Sequence, residues 1–126
     1  MMGFRFGTVI NCIDGRTQGV VIDYMKQKYN IEGVDMQRFR VDGLFSNEQN
    51  STEIALIRRA VSISIERHGS QIIALVGHYD CAGNPGDREH HNKHIRRAMQ
   101  EVSSWNFNEE VIVLYVNEKR EIEVVK

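Results

Sequence analysis

The sequence predicts an α/β fold in three layers, a mostly parallel sheet with helices on both faces. Short runs rich in Val, Ile, Phe and Thr alternate with longer amphipathic segments along the chain, the pattern of strands joined by crossover helices. One run, Ile72-Ile73-Ala74-Leu75-Val76, is apolar without a break, as expected of a strand buried on both faces. No repeat, linker or low-complexity stretch interrupts the alternation, so residues 1–126 read as a single domain.

Each element has its own signal. Phe4 to Ile13 combines Phe, Thr, Val and Ile and reads as the first strand. Gln18 to Tyr29 carries Val21, Tyr24, Met25 and Lys28 at helical spacing, with Gly33 marking its exit. Met36 to Val41 is a short second strand, followed by a loop through Gly43. Asn50 with Glu53 three residues later resembles a capping box; Ile54, Ile57, Val61 and Ile65 then share a face until Gly69 closes the helix. Ile72 to Val76 is the third strand, Asp87 to Ser104 a polar helix and Val111 to Val116 the fourth strand. Glu121 to Val125 reads as an antiparallel strand at the edge.

Composition excludes several classes of function. A net charge of -1 over 126 residues offers no electrostatic footprint for nucleic acid or an anionic membrane. The longest apolar runs are far too short to span a bilayer. Met1-Met2-Gly3-Phe4-Arg5-Phe6-Gly7 lacks the apolar stretch and cleavage site of a secretory signal, so the expected location is the cytoplasm. In that compartment the two cysteines should stay reduced.

Those cysteines fall in two short segments. Asn11-Cys12-Ile13-Asp14-Gly15-Arg16 ends the first strand, and Gly77-His78-Tyr79-Asp80-Cys81-Ala82-Gly83 follows the third. Cys12, His78 and Cys81 make a good ligand set for a zinc ion that keeps one coordination position open, where chemistry can occur. The fold brings them together. In a doubly wound sheet, ligands bind at the carboxyl ends of strands whose crossovers leave toward opposite faces. A strand order of 2-1-3-4 places strands one and three side by side at that switch point.

With both segments in view, the chain resembles the β-class carbonic anhydrases. That family carries Cys-x-Asp-x-Arg at the end of one strand and His-x-x-Cys after another. Here these read Cys12-Ile13-Asp14-Gly15-Arg16 and His78-Tyr79-Asp80-Cys81, with Arg40-Val41-Asp42-Gly43 similar to the family's Arg-x-Ala-Gly stretch. The likeness spans roughly residues 6 to 117. It implies Cys12, His78 and Cys81 as zinc ligands and Asp14 and Arg16 as a catalytic dyad. It further implies reversible hydration of carbon dioxide to bicarbonate by zinc-bound hydroxide, and an assembly of at least two subunits.

The residue chemistry fits those implications. Two thiolates and a neutral imidazole cancel the dication's charge, so bound water is acidified less than in a three-histidine site, and a neighbouring acceptor matters more. Asp14 is that acceptor. Arg16 projects to the same side if the segment is extended, and can hold Asp14 in a bidentate pair away from the metal. If the pair breaks, Asp14 can swing in as a fourth ligand; the resemblance implies that such closed states exist.

Other readings stay open beside this one. Asp14 and Arg16 also make sense as a salt bridge holding a turn, and Asp80 and Asn84 as turn formers. His90, His91 and His94 lie on a polar helix and are expected to face solvent. Gly15 stands where the family usually has serine, Asp42 where it has alanine, and the chain opens almost at the first strand, where typical members carry a helical arm. A non-catalytic zinc protein is therefore a second candidate, and a hydrolase of a related substrate such as carbonyl sulfide a third. The expected assembly is a homodimer or a higher oligomer built from it. Contact would come from the Leu44-Phe45 loop and the helix after Asn50, because residues such as Phe45 and Trp105 exceed what one thin sheet covers.

Overall fold

A computed structural model of the chain describes residues 4–38, 51–82 and 85–125. Among the described residues, five strands and three helices follow in the order β1 (Phe6–Asn11), α1 (Gly15–Tyr29), β2 (Gly33–Arg38), α2 (Ser51–His68), β3 (Ile72–His78), α3 (Arg88–Ser104), β4 (Glu110–Val116) and β5 (Ile122–Val124). The sheet order is β2-β1-β3-β4-β5. The first three pairings are parallel, and β5 returns antiparallel along β4. This is the expected α/β architecture, with the antiparallel strand at the predicted edge.

Two apolar layers hold the sheet. On one face Val21 and Met25 of α1 pack with Val9, Ala74, Val76 and Leu114. On the other, Ile57 and Val61 of α2 and Ile95, Ala98 and Val102 of α3 pack with Ile10, Ile73, Leu75 and Val113. Alternate residues of β1, β3 and β4 thus serve opposite layers, as a pleated strand requires. That sandwich explains the unbroken apolar run in β3. Gly77 lets α3 cross closely, because a Cβ there would push the end of the Ile95 side chain aside.

Local chemistry moves several boundaries. α1 begins at Gly15 rather than Gln18, because Asp14 caps it and accepts the Arg16 N–H at 2.8 Å. Asn30, at φ 54° and ψ 44°, ends it in the left-handed conformation of a helix stop. Lys28, expected on the buried face, is exposed in the last turn, where a cation suits the helix dipole. β2 begins at Gly33, three residues before the predicted Met36, because Phe6, Gly7 and Thr8 pair with Gly33, Val34 and Asp35. Its predicted continuation to Val41, the loop through Gly43 and the Asn50 cap lie outside the described residues. β3 runs on to His78, whose register partner is Val116, so His78 sits within the strand's end rather than after it.

The crossovers set the functional geometry. From β1 the chain turns into α1 on one face; from β3 it turns into α3 on the other. The carboxyl ends of these adjacent parallel strands form the switch point. Cys12 follows β1 there, and His78 closes β3.

Candidate metal centre

All three sequence-predicted ligands arrive at this switch point, and all three are buried. Their ligand atoms lie within 4.8 Å of one another, and they form the one such cluster of three among the described residues. The Cys12 and Cys81 sulfurs are 3.9 Å apart. A disulfide needs about 2.05 Å, and both cysteines are free. Two sulfurs held at about 2.3 Å by one tetrahedral ion stand about 3.8 Å apart. The observed spacing therefore suits a shared cation and not a covalent bond.

His78 is oriented for the same task. Its Nδ1–H donates to the Tyr79 carbonyl at 2.9 Å, which leaves Nε2 as the ring's free lone pair. Nε2 is buried and makes no hydrogen bond. A buried polar atom without a partner is costly unless a ligand satisfies it. Cys12 is held equally firmly: its N–H donates to Asn11 Oδ1 at 2.9 Å, and its carbonyl accepts from Gln18 at 2.6 Å. The donor set, its spacing and the orphaned nitrogen fit a zinc ion.

The electrostatics point the same way. Burial opposes ionisation of Cys12, yet the His78 imidazole, the backbone at Asp14 and Cys81 outweigh it and hold the thiol below its ordinary range. Burial likewise opposes a charged His78, while Cys12, the Tyr79 carbonyl and Asp14 raise its pKa. Both shifts have one sense: the cluster favours positive charge among two sulfurs.

Asp14 and Arg16 do form the expected pair, though by a different route. The segment is not extended, for Asp14 is the helix cap and Arg16 already lies in the first turn of α1. The cap turns both side chains together. Arg16 Nη2 donates to Asp14 Oδ2 at 2.7 Å, and Nε reaches Oδ1 and Oδ2 at 3.1 and 3.2 Å. Arg16 lowers the Asp14 pKa to about 2, against the opposing effect of burial. The carboxylate is thus ionised throughout the neutral range, and its Oδ2 lies 4.0 Å from His78 Nδ1. A cavity of about 190 Å³ opens beside the pair, lined by Arg16, Thr17, His78, Tyr79, Val116 and Arg120. A larger one, about 480 Å³, lies at the opposite end of the sheet among Phe6, Ile72 and Glu110, far from the cluster. Chemistry, not size, marks the functional end.

Residues 2–126 match the model of a family described as "Putative carbonic anhydrase". The chain belongs to this carbonic anhydrase family. Among solved structures it is similar to the β-carbonic anhydrase CafA of the fungal pathogen Aspergillus fumigatus, with a TM-score of 0.57 and 11% identity over 98% of this chain and 77% of that one. At that identity the likeness speaks for the fold. No curated protein sequence matches the chain.

Within this carbonic anhydrase fold, some expectations need correction. His91 does not face solvent: it is 2% exposed and its Nδ1 pairs with the Tyr115 hydroxyl at 3.2 Å. The reason is register, since His91 precedes Ile95, Ala98 and Val102 on the buried stripe of α3. His90 and His94 are half-buried and stack edge to face at 4.4 Å. Trp105 is no surplus apolar surface either; it is 5% exposed in the core, with its indole N–H on Glu101 at 2.9 Å. Asn84, Phe45 and the Arg40-Val41-Asp42-Gly43 stretch lie outside the described residues.

The sequence reading missed three supports, Asn11, Thr17 and Gln18; Asp80, read as a turn former, does lie in a turn, but its contact with Arg16 was not foreseen. Thr17 and Gln18 donate to the Asp14 carbonyl at 2.9 and 3.3 Å, fixing the cap from below. Their positions in the first turn of a helix would have been the clue. Asp80 adopts φ 59° and meets Arg16 across the site, and no local pattern announces that.

Proposed function

We propose that this protein is a zinc lyase that hydrates carbon dioxide reversibly to bicarbonate, with residues 1–126 acting as one domain. The observation that carries the reading is the convergence of Cys12, Cys81 and the orphaned His78 Nε2 beside an ionised Asp14. Cys12, His78 and Cys81 would hold the ion. When bound, zinc supplies the Lewis acidity that brings water's ionisation toward neutral pH.

The chain's own residues do the rest. Asp14 accepts a hydrogen bond from a water in the cleft and aims that oxygen's lone pair at the substrate carbon. Arg16 keeps the carboxylate ionised and turned to one side. The new C–O bond completes bicarbonate, and one proton leaves to solvent. An orienting pair serves a reaction, and a purely structural zinc site has no use for one. This favours the lyase over a non-catalytic metal protein. Free thiols suit the reducing interior of a cell, so we place the activity in the cytoplasm.

Metal analysis combined with stopped-flow carbon dioxide hydration across pH tests the reading. We expect about one zinc per chain and turnover that rises with pH. Zinc without turnover would move the protein to the non-catalytic class. Turnover of carbonyl sulfide in place of carbon dioxide would change the substrate and keep the site.

A further inference from the structure

We propose that Asp80 is a positioning residue for the Asp14–Arg16 pair, bracing Arg16 from the His78–Cys81 loop so that Asp14 stays clear of the metal ligands. The inference rests on reading this site as a zinc lyase.

Arg16 is held along two edges of its guanidinium. Asp14 takes Nε and Nη2, as described above. On the far side Nη1 donates to Asp80 Oδ2 at 3.3 Å, and Nη2 donates to the Asp80 carbonyl at 3.0 Å. Asp80 stands at φ 59°, a left-handed conformation uncommon outside glycine but tolerated by Asp and Asn. In it, one residue turns both its carbonyl and its carboxylate to the same cation. The two carboxylates occupy different nitrogens and therefore cooperate rather than compete.

Stability does not explain the arrangement. The Asp80 side chain is 69% exposed and that of Arg16 49%, and ion pairs so placed contribute little to folding. Connectivity does. Asp14 and Arg16 are two residues apart on one helix cap, so their side-chain pair can turn together once the cap bond from the Arg16 N–H to Asp14 Oδ1 gives way. Asp80 lies 64 residues further on, between His78 and Cys81. Its contacts tie the pair to the turn that joins His78, at the end of β3, to Cys81. That loop is itself pinned, for the Tyr79 N–H donates to the Val116 carbonyl at 2.9 Å. With Asp14 Oδ2 only 4.0 Å from His78 Nδ1, a small rotation of the untied pair would bring the carboxylate among the ligands.

The test compares native protein with Asp80→Asn and Asp80→Gly. Both variants tolerate the left-handed backbone and keep the carbonyl contact, so each removes only the carboxylate. Each is loaded with zinc for kinetics and with cobalt for optical spectra. We expect full metal stoichiometry, kcat lowered about three- to fivefold with KM unchanged, the scale of an exposed pair, and a cobalt d–d spectrum shifted toward carboxylate ligation. Adding Asp14→Asn to Asp80→Asn should abolish that spectral shift. Native spectra and native kcat in both single variants would make Asp80 a mere surface ion pair and overturn the proposal. A native protein that takes up no cobalt overturns the metal-site reading instead, and this role with it.

Discussion

The two nitrogens of His78 have different fates, and that difference organises the site. Nδ1 is committed to the Tyr79 carbonyl and Nε2 is left unpaired among two sulfurs. We expect Cys12→Ala, His78→Ala and Cys81→Ala each to lose metal by elemental analysis. Each should also lower thermal stability, because metal binding free energy is partly folding free energy. Full zinc occupancy in Cys81→Ala would dismiss the assignment. Zinc uptake should release protons, and affinity should weaken as pH falls, since thiolate and neutral imidazole are the binding forms; calorimetry in buffers of different ionisation enthalpy measures this. Asp14→Asn should keep zinc and lose roughly a hundredfold in kcat, the scale of one positioned proton acceptor, while Arg16→Ala should give a slow enzyme. Unchanged kcat in both would reduce the pair to a turn-holding salt bridge. At this scale the sequence was largely legible. Ligand chemistry depends on residue type and short spacing, which a sequence displays. Asp80 was legible as a turn former but its contact with Arg16 was not, because that depends on one backbone dihedral and a partner 64 residues away.

Element boundaries were less readable than element identities, and the errors share a cause. Helix ends are decided by caps: Asp14 at α1 and Asp87 at α3, whose carboxylate accepts the His90 N–H at 2.9 Å. Polar cap residues look like loop in a hydrophobicity pattern. β2 starts early because its partner strand dictates the register, a non-local fact. The His91 error was one of phase, since a helix so rich in charge hides which narrow stripe is buried. The same helix anchors the last strand. Arg88 lies 3.8 Å above the Tyr115 ring and pairs with Glu123 of β5 at 3.1 Å. Glu123 is also bonded by Asn117 Nδ2 at 2.9 Å. Asn117 first and Arg88 next hold its carboxyl below the usual range. The sign follows from linkage. A carboxyl whose folded pKa is depressed adds stability above its unfolded pKa of 4.5, and that contribution fades as pH falls through the folded value. NMR titration should place Glu123 below an ordinary glutamate, and Arg88→Ala should move it back up. A Glu123 titration unmoved by Arg88→Ala would mean that the Arg88–Glu123 pair does not couple α3 to β5 in solution.

The order of the strands was the most legible property of the molecule as a whole. Apolar runs joined by helices leave few arrangements, and placing Cys12 near His78 and Cys81 selects the one with strands one and three adjacent. How copies associate was less legible, because apolar count alone misplaced Trp105, which the core absorbs. What remains outside is more specific. Leu56 and Ile63, seven residues apart on α2, are 64% and 49% exposed, two turns along one helix face. No helix among the described residues is long and apolar enough to cross a membrane, so this stripe is not part of a helical span. We expect it to form the core of a two-fold interface between copies; the Leu44-Phe45 segment, expected from the sequence to share that contact, lies outside the described residues. Leu56→Glu is a clean probe, since an exposed substitution of this kind changes the fold's stability by about 0.5 kcal/mol or less. Light scattering should find a dimer for the native protein and a monomer for the variant, with circular dichroism unchanged. If native protein is monomeric at all concentrations yet binds zinc and turns over fully, the stripe is not an interface and one chain supplies the whole pocket.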